Sequence, residues 1–174
     1  MITALQNFIP YGVVALQIAG VILLLALVFD VKGKLVAWVG ENAVTLAFLA
    51  TLGAVSGSLF YSNVIGFEPC ILCWWQRIFM YPQVILFSVA VWKKRADIFL
   101  YSLPLSVIGT GIAIYQIILP YLEKYGVVCV TTSGVSCTKL YVFAFGYITI
   151  PVMSLTVFFV LILLAVSNKI YAKQ

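Results

Sequence analysis

Four cysteines hold most of the chemistry in this sequence. Cys70 and Cys73 form a Cys-x-x-Cys pair within Glu68-Pro69-Cys70-Ile71-Leu72-Cys73-Trp74-Trp75-Gln76-Arg77. Cys129 and Cys137 lie further on, with seven residues between them and a small, polar turn at Ser133-Gly134 that lets the ends meet. If the chain becomes helical at about Cys70, then Cys70, Cys73 and Arg77 fall at i, i+3 and i+7 and share one face, which Tyr81 extends. Pro69 suits a helix start. Thiols in a first turn sit at the positive end of the helix dipole, which lowers a thiol pKa and favours a reactive thiolate. Spacing alone leaves a structural disulfide and half of a zinc site open for Cys70 and Cys73, and a structural staple for Cys129 and Cys137.

Arg77 narrows the choice. It is the single arginine inside an apolar segment. A charge near the bilayer centre costs about 2.5–3.5 kcal/mol on insertion scales, so such residues mark functional sites by default. Arg77 lies roughly 10 Å down the helix from Cys70 at about 1.5 Å per residue, a depth from which it can also snorkel upward. Beneath a Cys-x-x-Cys, an arginine suits a polar head group or a developing thiolate charge. Gln76 is grouped with it as a candidate cofactor contact. Trp74 and Trp75 read as interface anchors.

The rest of the chain positions these side chains. Of 174 residues, 64% are hydrophobic and 9% charged, which defines an integral membrane protein. Five apolar segments, at roughly 8–29, 43–64, 71–92, 98–119 and 147–167, each approach the roughly 20 residues a membrane-spanning helix needs. The expected fold is all-α: one membrane domain over 1–174. The first segment lacks a basic leader region and reads as a retained helix. Gly53-Ala54-Val55-Ser56-Gly57-Ser58 reads as a surface for close helix packing. Pro82 is expected to kink the third helix, and Pro120 and Pro151 to mark helix boundaries. Aromatic residues from Tyr121 to Tyr147 read as an interfacial belt.

The basic residues set the orientation. With the amino terminus outside, Lys32, Lys34, Lys93, Lys94, Arg95, Lys169 and Lys173 are cytoplasmic, seven in all, against Lys124 and Lys139 outside. This places 65–70 and the long 120–146 segment, and with them all four cysteines, on the outer face where disulfides persist. The net charge of +5 is dispersed at segment ends and does not point to nucleic acid. Histidine is absent, which removes histidine-ligated haem, histidine metal sites and Ser-His or Cys-His catalysis, and no metal site is expected. Two outer cysteine pairs beside a membrane arginine then suggest thiol–disulfide exchange delivering two electrons to a lipid-soluble acceptor, with a quinone the obvious candidate.

The run Pro-Cys-x-x-Cys-Trp-x-Gln-Arg-x-x-x-Tyr-Pro, from Pro69 to Pro82, resembles the DsbB family of quinone-dependent thiol oxidoreductases, and most closely its BdbC branch. The resemblance covers roughly 43–167. It implies a four-helix bundle, with 8–29 as an extra amino-terminal helix that makes five spans. It implies a soluble or membrane-tethered, thioredoxin-fold partner of the DsbA type and a quinone, menaquinone or ubiquinone. By the same resemblance Cys129 takes the partner's mixed disulfide and Cys137 relays to Cys70. Cys73 then faces the quinone, and Arg77 sits at its head group. The expected location is the cell membrane and the expected role is disulfide bond formation. Three other readings compete. A vitamin K epoxide reductase has the loop pair before the Cys-x-x-Cys, the reverse of the order here. A structural four-cysteine zinc site calls for different spacing. A channel or transporter calls for polar residues along several helices, whereas Gln17, Thr45, Thr51, Thr110 and Gln116 are scattered.

Overall fold

Long runs without charge leave the backbone one way to satisfy its polar groups in a bilayer, and the computed structural model of the protein follows it. Residues 2–29, 33–126, 136–138 and 141–172 are described. Among the described residues five α-helices follow one another: α1 (Ile2–Phe29), α2 (Lys34–Leu59), α3 (Ile71–Lys93), α4 (Phe99–Leu122) and α5 (Ile150–Tyr171). Among the described residues the β-structure is one isolated bridge between Ala144 and Ile148. Four spans, Phe8–Phe29, Lys34–Val64, Phe99–Leu122 and Ile150–Tyr171, are long and apolar enough to cross a membrane. The remaining helix, α3, is 23 residues long and less apolar, because it carries Gln76, Arg77 and Gln83. Outward side chains such as Ile85, Leu100 and Trp92 are 67%, 75% and 84% exposed, a surface made for lipid rather than water.

The helices α2, α3, α4 and α5 close a ring by packing α2 on α3, α3 on α4, α4 on α5 and α5 on α2. Outside the ring, α1 lies against α5 and, more lightly, α2. The core is built around the fully buried Phe87 and Phe158, with Ala43, Ala47, Leu161 and Leu164. Close approach comes from glycines. A Cβ on Gly109 would overlap the Phe158 ring, and a Cβ on Gly40 would come within 2.5 Å of Tyr171 Cβ and 2.9 Å of the Ser167 carbonyl oxygen. Polar side chains add cross-links where lipid offers none. Ser102 and Ser106 donate to Gln83 Oε1 at 2.6 and 3.2 Å, tying α4 to α3. Gln17 Nε2 donates to Thr156 Oγ1 at 3.0 Å, tying α1 to α5.

Several expectations are corrected. The second helix begins at Lys34, not near 43, because Glu41 and Asn42 sit on its outer side, Asn42 donating back to the Trp38 carbonyl, while Val36, Val39 and Gly40 pack inward. Pro151 does mark the start of α5, as its second residue after Ile150 and the N-cap Thr149, but Pro120 lies inside α4, which runs on to Leu122. Within the 53–58 stretch, Ala54 and Val55 pack against the core and Ser58 bonds α3, but the two glycines face open space. Neither glycine has an atom within 4 Å of where a Cβ would stand, and both line a cavity.

Candidate functional site

The approach to Cys70 is shaped before α3 starts. After Leu59 the chain makes a wider π-type turn over Phe60–Val64, a feature frequent at functional sites. Gly66 then reverses direction with φ +84, a left-handed conformation that favours glycine. Phe67 is clamped between two rings, with centroids 5.9 Å from Tyr61 and 4.7 Å from Tyr141, and its amide donates to the Tyr61 carbonyl at 3.0 Å. Held this way, the short extended segment delivers Pro69 and Cys70 to the helix start.

Cys70 is the N-cap of α3, and its carbonyl accepts the Trp74 amide at 3.1 Å. Cys73 follows in the first turn. Both are free thiols, and their sulfurs are 3.1 Å apart and hydrogen-bonded. That shared hydrogen bond, reinforced by burial, holds the Cys70 thiol far above its ordinary range. Cys70 is therefore the member that keeps its proton. The helix dipole and a side-chain amide both face the pair: Gln116 Nε2 of α4 donates to Cys70 Sγ at 3.4 Å and to Cys73 Sγ at 3.5 Å.

Gln116 does not act alone. Gln76 Nε2 donates to Gln116 Oε1 at 2.8 Å, and Ser154 Oγ of α5 donates to Gln76 Oε1 at 2.6 Å. A buried polar chain thus runs Ser154–Gln76–Gln116–thiols through three helices, with both glutamines at most 5% exposed. Gln76, expected as a cofactor contact, lines the cavity, and one of its two amide N–H donors goes to Gln116. Gln116 itself had no local signal. Its one clue was that an amide buried in an apolar helix needs a partner.

The expected common face of Cys70, Cys73, Arg77 and Tyr81 is present. Arg77 Nη2 donates to the Ser58 carbonyl at 3.3 Å and Tyr81 Oη donates to Ser58 Oγ at 3.3 Å. The Arg77 guanidinium also lies 5.3 Å from the Trp74 ring centre, so Trp74 is a cation–π partner in addition to a surface residue. Among the described residues the single ion pair, Arg95–Asp97, is at the other end of α3, so no carboxylate neutralises Arg77. With five N–H donors and one engaged, Arg77 has donors left for a ligand.

Cys137 is disulfide-bonded and buried, and it packs in one cluster with Cys70 and Leu119, against Leu72 and Cys73. The short loop therefore does not keep Cys137 away from the helix pair. Cys129 lies outside the described residues, so its expected part in the exchange has no structural counterpart here. A cavity of about 870 Å³ adjoins all of this, lined by Cys70, Cys73, Arg77, Tyr81, Gln116 and Cys137 among others. Among the described residues no group of three or more histidine, cysteine or acidic side chains is arranged to hold a metal ion.

A dithiol at a helix end, a buried disulfide-bonded cysteine packed against it and a bundle of lipid-facing helices fit one class, the membrane thiol–disulfide oxidoreductases. Residues 40–168 match the family model described as disulfide bond formation protein DsbB, and the chain belongs to that family. It is 40% identical over 134 residues to "Probable disulfide formation protein C 1" of Bacillus anthracis, covering 77% of this chain and 94% of that one. It is 37% identical over 124 residues to "Probable disulfide formation protein C" of Halalkalibacterium halodurans, covering 70% and 88%. It is 42% identical over 109 residues to "SPbeta prophage-derived disulfide bond formation protein B" of Bacillus subtilis, covering 63% and 72%. No solved structure matches it significantly.

Proposed function

We propose that this protein reoxidises a thioredoxin-fold thiol oxidase of the DsbA type outside the cytoplasm and passes the electrons to a membrane quinone, menaquinone or ubiquinone. The observation that carries this reading is the Cys70–Cys73 dithiol, 3.1 Å between sulfurs, on a cavity that also holds an unneutralised Arg77. The excess of basic residues at the opposite end of the bundle supports an extracytoplasmic cysteine end in the cell membrane.

The exchange balances in three steps, each moving two electrons and two protons. The partner's dithiol reduces the disulfide formed by Cys129 and Cys137, and the partner leaves as a disulfide. The loop dithiol then reduces a Cys70–Cys73 disulfide, with Cys137 attacking Cys70 from the cluster they share. Finally the Cys70–Cys73 dithiol becomes a disulfide again as the quinone takes up two electrons and two protons to become a quinol. Quinone supplies the acceptor chemistry. The chain's own residues set the stage for it. Gln116 stabilises negative charge on sulfur, Gln76 and Ser154 hold Gln116 in place, and Arg77, steadied by Trp74 and Ser58, offers donors to a carbonyl oxygen.

The test supplies purified protein with a reduced thioredoxin-fold dithiol and a quinone, and follows quinone reduction by absorbance. Turnover is expected for the wild type, loss of turnover for Cys73→Ser and a raised KM for quinone with Arg77→Ala. Undiminished quinone reduction by Cys73→Ser would exclude the relay.

A further inference from the structure

The helix α1 lies before the segment that matches the family, residues 40–168, yet it is built into the wall of the redox cavity. It is pinned in place by polar and steric contacts. Gln17 bonds Thr156 of α5 at 3.0 Å and accepts from Tyr147 Oη at 2.8 Å, and a Cβ on Gly20 would meet Val160 Cγ2 at 3.2 Å. Held there, α1 turns Ile9, Gly12, Val13 and Leu16 toward the cavity, and α2 contributes Leu49, Gly53 and Gly57 to it.

These two sets of residues extend the cavity away from the thiols. Arg77 meets α2 at Ser58, and Leu49 is nine residues deeper on the same helix, about 13 Å at 1.5 Å per residue. On α1, Ile9 and Val13 pack against the Tyr61 and Ile148 cluster near the top of the cavity, and Leu16 packs against the main core further down. Gly57 beside Ser58, Gly53 one turn below it and Gly12 on α1 leave the walls smooth, each with no atom within 4 Å of a Cβ position. The upper part is polar. Alongside Arg77 and Tyr81, Tyr61 is 5% exposed and its hydroxyl has no hydrogen-bond partner. A cavity of about 870 Å³ falls within the 300–1,000 Å³ of small-molecule sites. Its shape suits an amphipathic ligand with a polar ring above and an apolar chain below.

We infer that α1 and the Gly53–Gly57 face of α2 form the binding channel for the isoprenoid tail of the electron acceptor, and that Gly12 and Gly53 determine how well a long-tailed acceptor is used. The inference rests on the quinone reading, since that reading supplies a head group at Cys73 and Arg77 to which the tail is continuous. Each of these glycines has room for a side chain, so filling the channel does not require the helices to move.

The test compares a long-tailed quinone with a tail-less ring of the same redox class, using wild type, Gly12→Leu and Gly53→Leu in detergent, with Tm recorded for each. The ratio of KM for the long-tailed to the tail-less quinone should rise about tenfold in both variants, while a Gly111→Leu control outside the cavity leaves the ratio unchanged. A ratio that stays at the wild-type value in folded Gly12→Leu and Gly53→Leu proteins would overturn the tail channel and leave the space to ordinary lipid. Failure of the wild type to reduce even the tail-less quinone would instead overturn the acceptor itself, and the tail site with it.

Discussion

Replacing Gln116 with leucine tests the polar chain that serves the thiols. In the wild type the Gln116 amide donates to Cys70 and Cys73 at 3.4 and 3.5 Å and is aimed by Gln76 at 2.8 Å. A hydrogen bond to a charged group contributes about 1.5–3 kcal/mol, equivalent to about ten- to hundredfold in the population of thiolate. A less stabilised thiolate is also a stronger nucleophile, with a Brønsted exponent of about 0.4–0.5, which returns roughly half of that logarithm. The expected net effect on alkylation of the reduced Cys70–Cys73 pair, measured at a pH below the thiol pKa, is therefore a slowing of about three- to tenfold. Gln76→Leu leaves the donor but removes its anchor. A single interhelical hydrogen bond averages about 0.6 kcal/mol in a membrane protein, so that variant should slow the reaction by about threefold at most. The assay is site-resolved alkylation by mass spectrometry, with thermal melts to confirm the fold. Wild-type alkylation rates in a folded Gln116→Leu protein would refute the idea that this amide activates the thiols.

Other consequences follow from the same geometry. Arg77→Lys keeps the charge but loses the planar fork and its stacking on Trp74, so KM for quinone should rise with little change in the reactivity of the thiols toward iodoacetamide. Gly40→Ala sets a methyl group against the Ser167 carbonyl oxygen and should lower Tm, overpacking costing about 1–3 kcal/mol. Gly53→Ala meets nothing and should hold or raise Tm, since alanine gains about 0.5–1 kcal/mol over glycine inside a helix. Gln83→Leu strips the acceptor from Ser102 and Ser106, and a loss of about 1–2 kcal/mol should lower Tm by about 2–8 °C in a chain of this size.

Local periodicity made half of the site legible. Cys70, Cys73, Arg77 and Tyr81 are neighbours on a single helix, and helical spacing places them on one face whatever packs against it. The glutamine relay was hidden because Gln76 and Gln116 are 40 residues apart and meet only when α3 packs on α4. Gly53 and Gly57 show the reverse problem. Their spacing marks a smooth face, but nothing in the spacing says whether a helix or a ligand lies against it, and here the face borders a cavity. The start of α2 was misplaced for a related reason: Lys34, Glu41 and Asn42 break the apolar run without breaking the helix, while Val36, Val39 and Gly40 between them turn inward. Pro120 was read as a stop, yet α4 runs two residues past it, the proline giving up only its own bond to the Gln116 carbonyl in the last turn.

The central claim is that electrons leave the protein's own thiols for a quinone. Its most direct test is a single turnover under anaerobic conditions: fully reduced protein is mixed with one equivalent of quinone, and thiols and quinol are counted together. Two thiols should be lost for each quinol formed, and Cys73→Ser should form none. Quinol appearing without loss of thiols, or thiols oxidised without quinol, would contradict it.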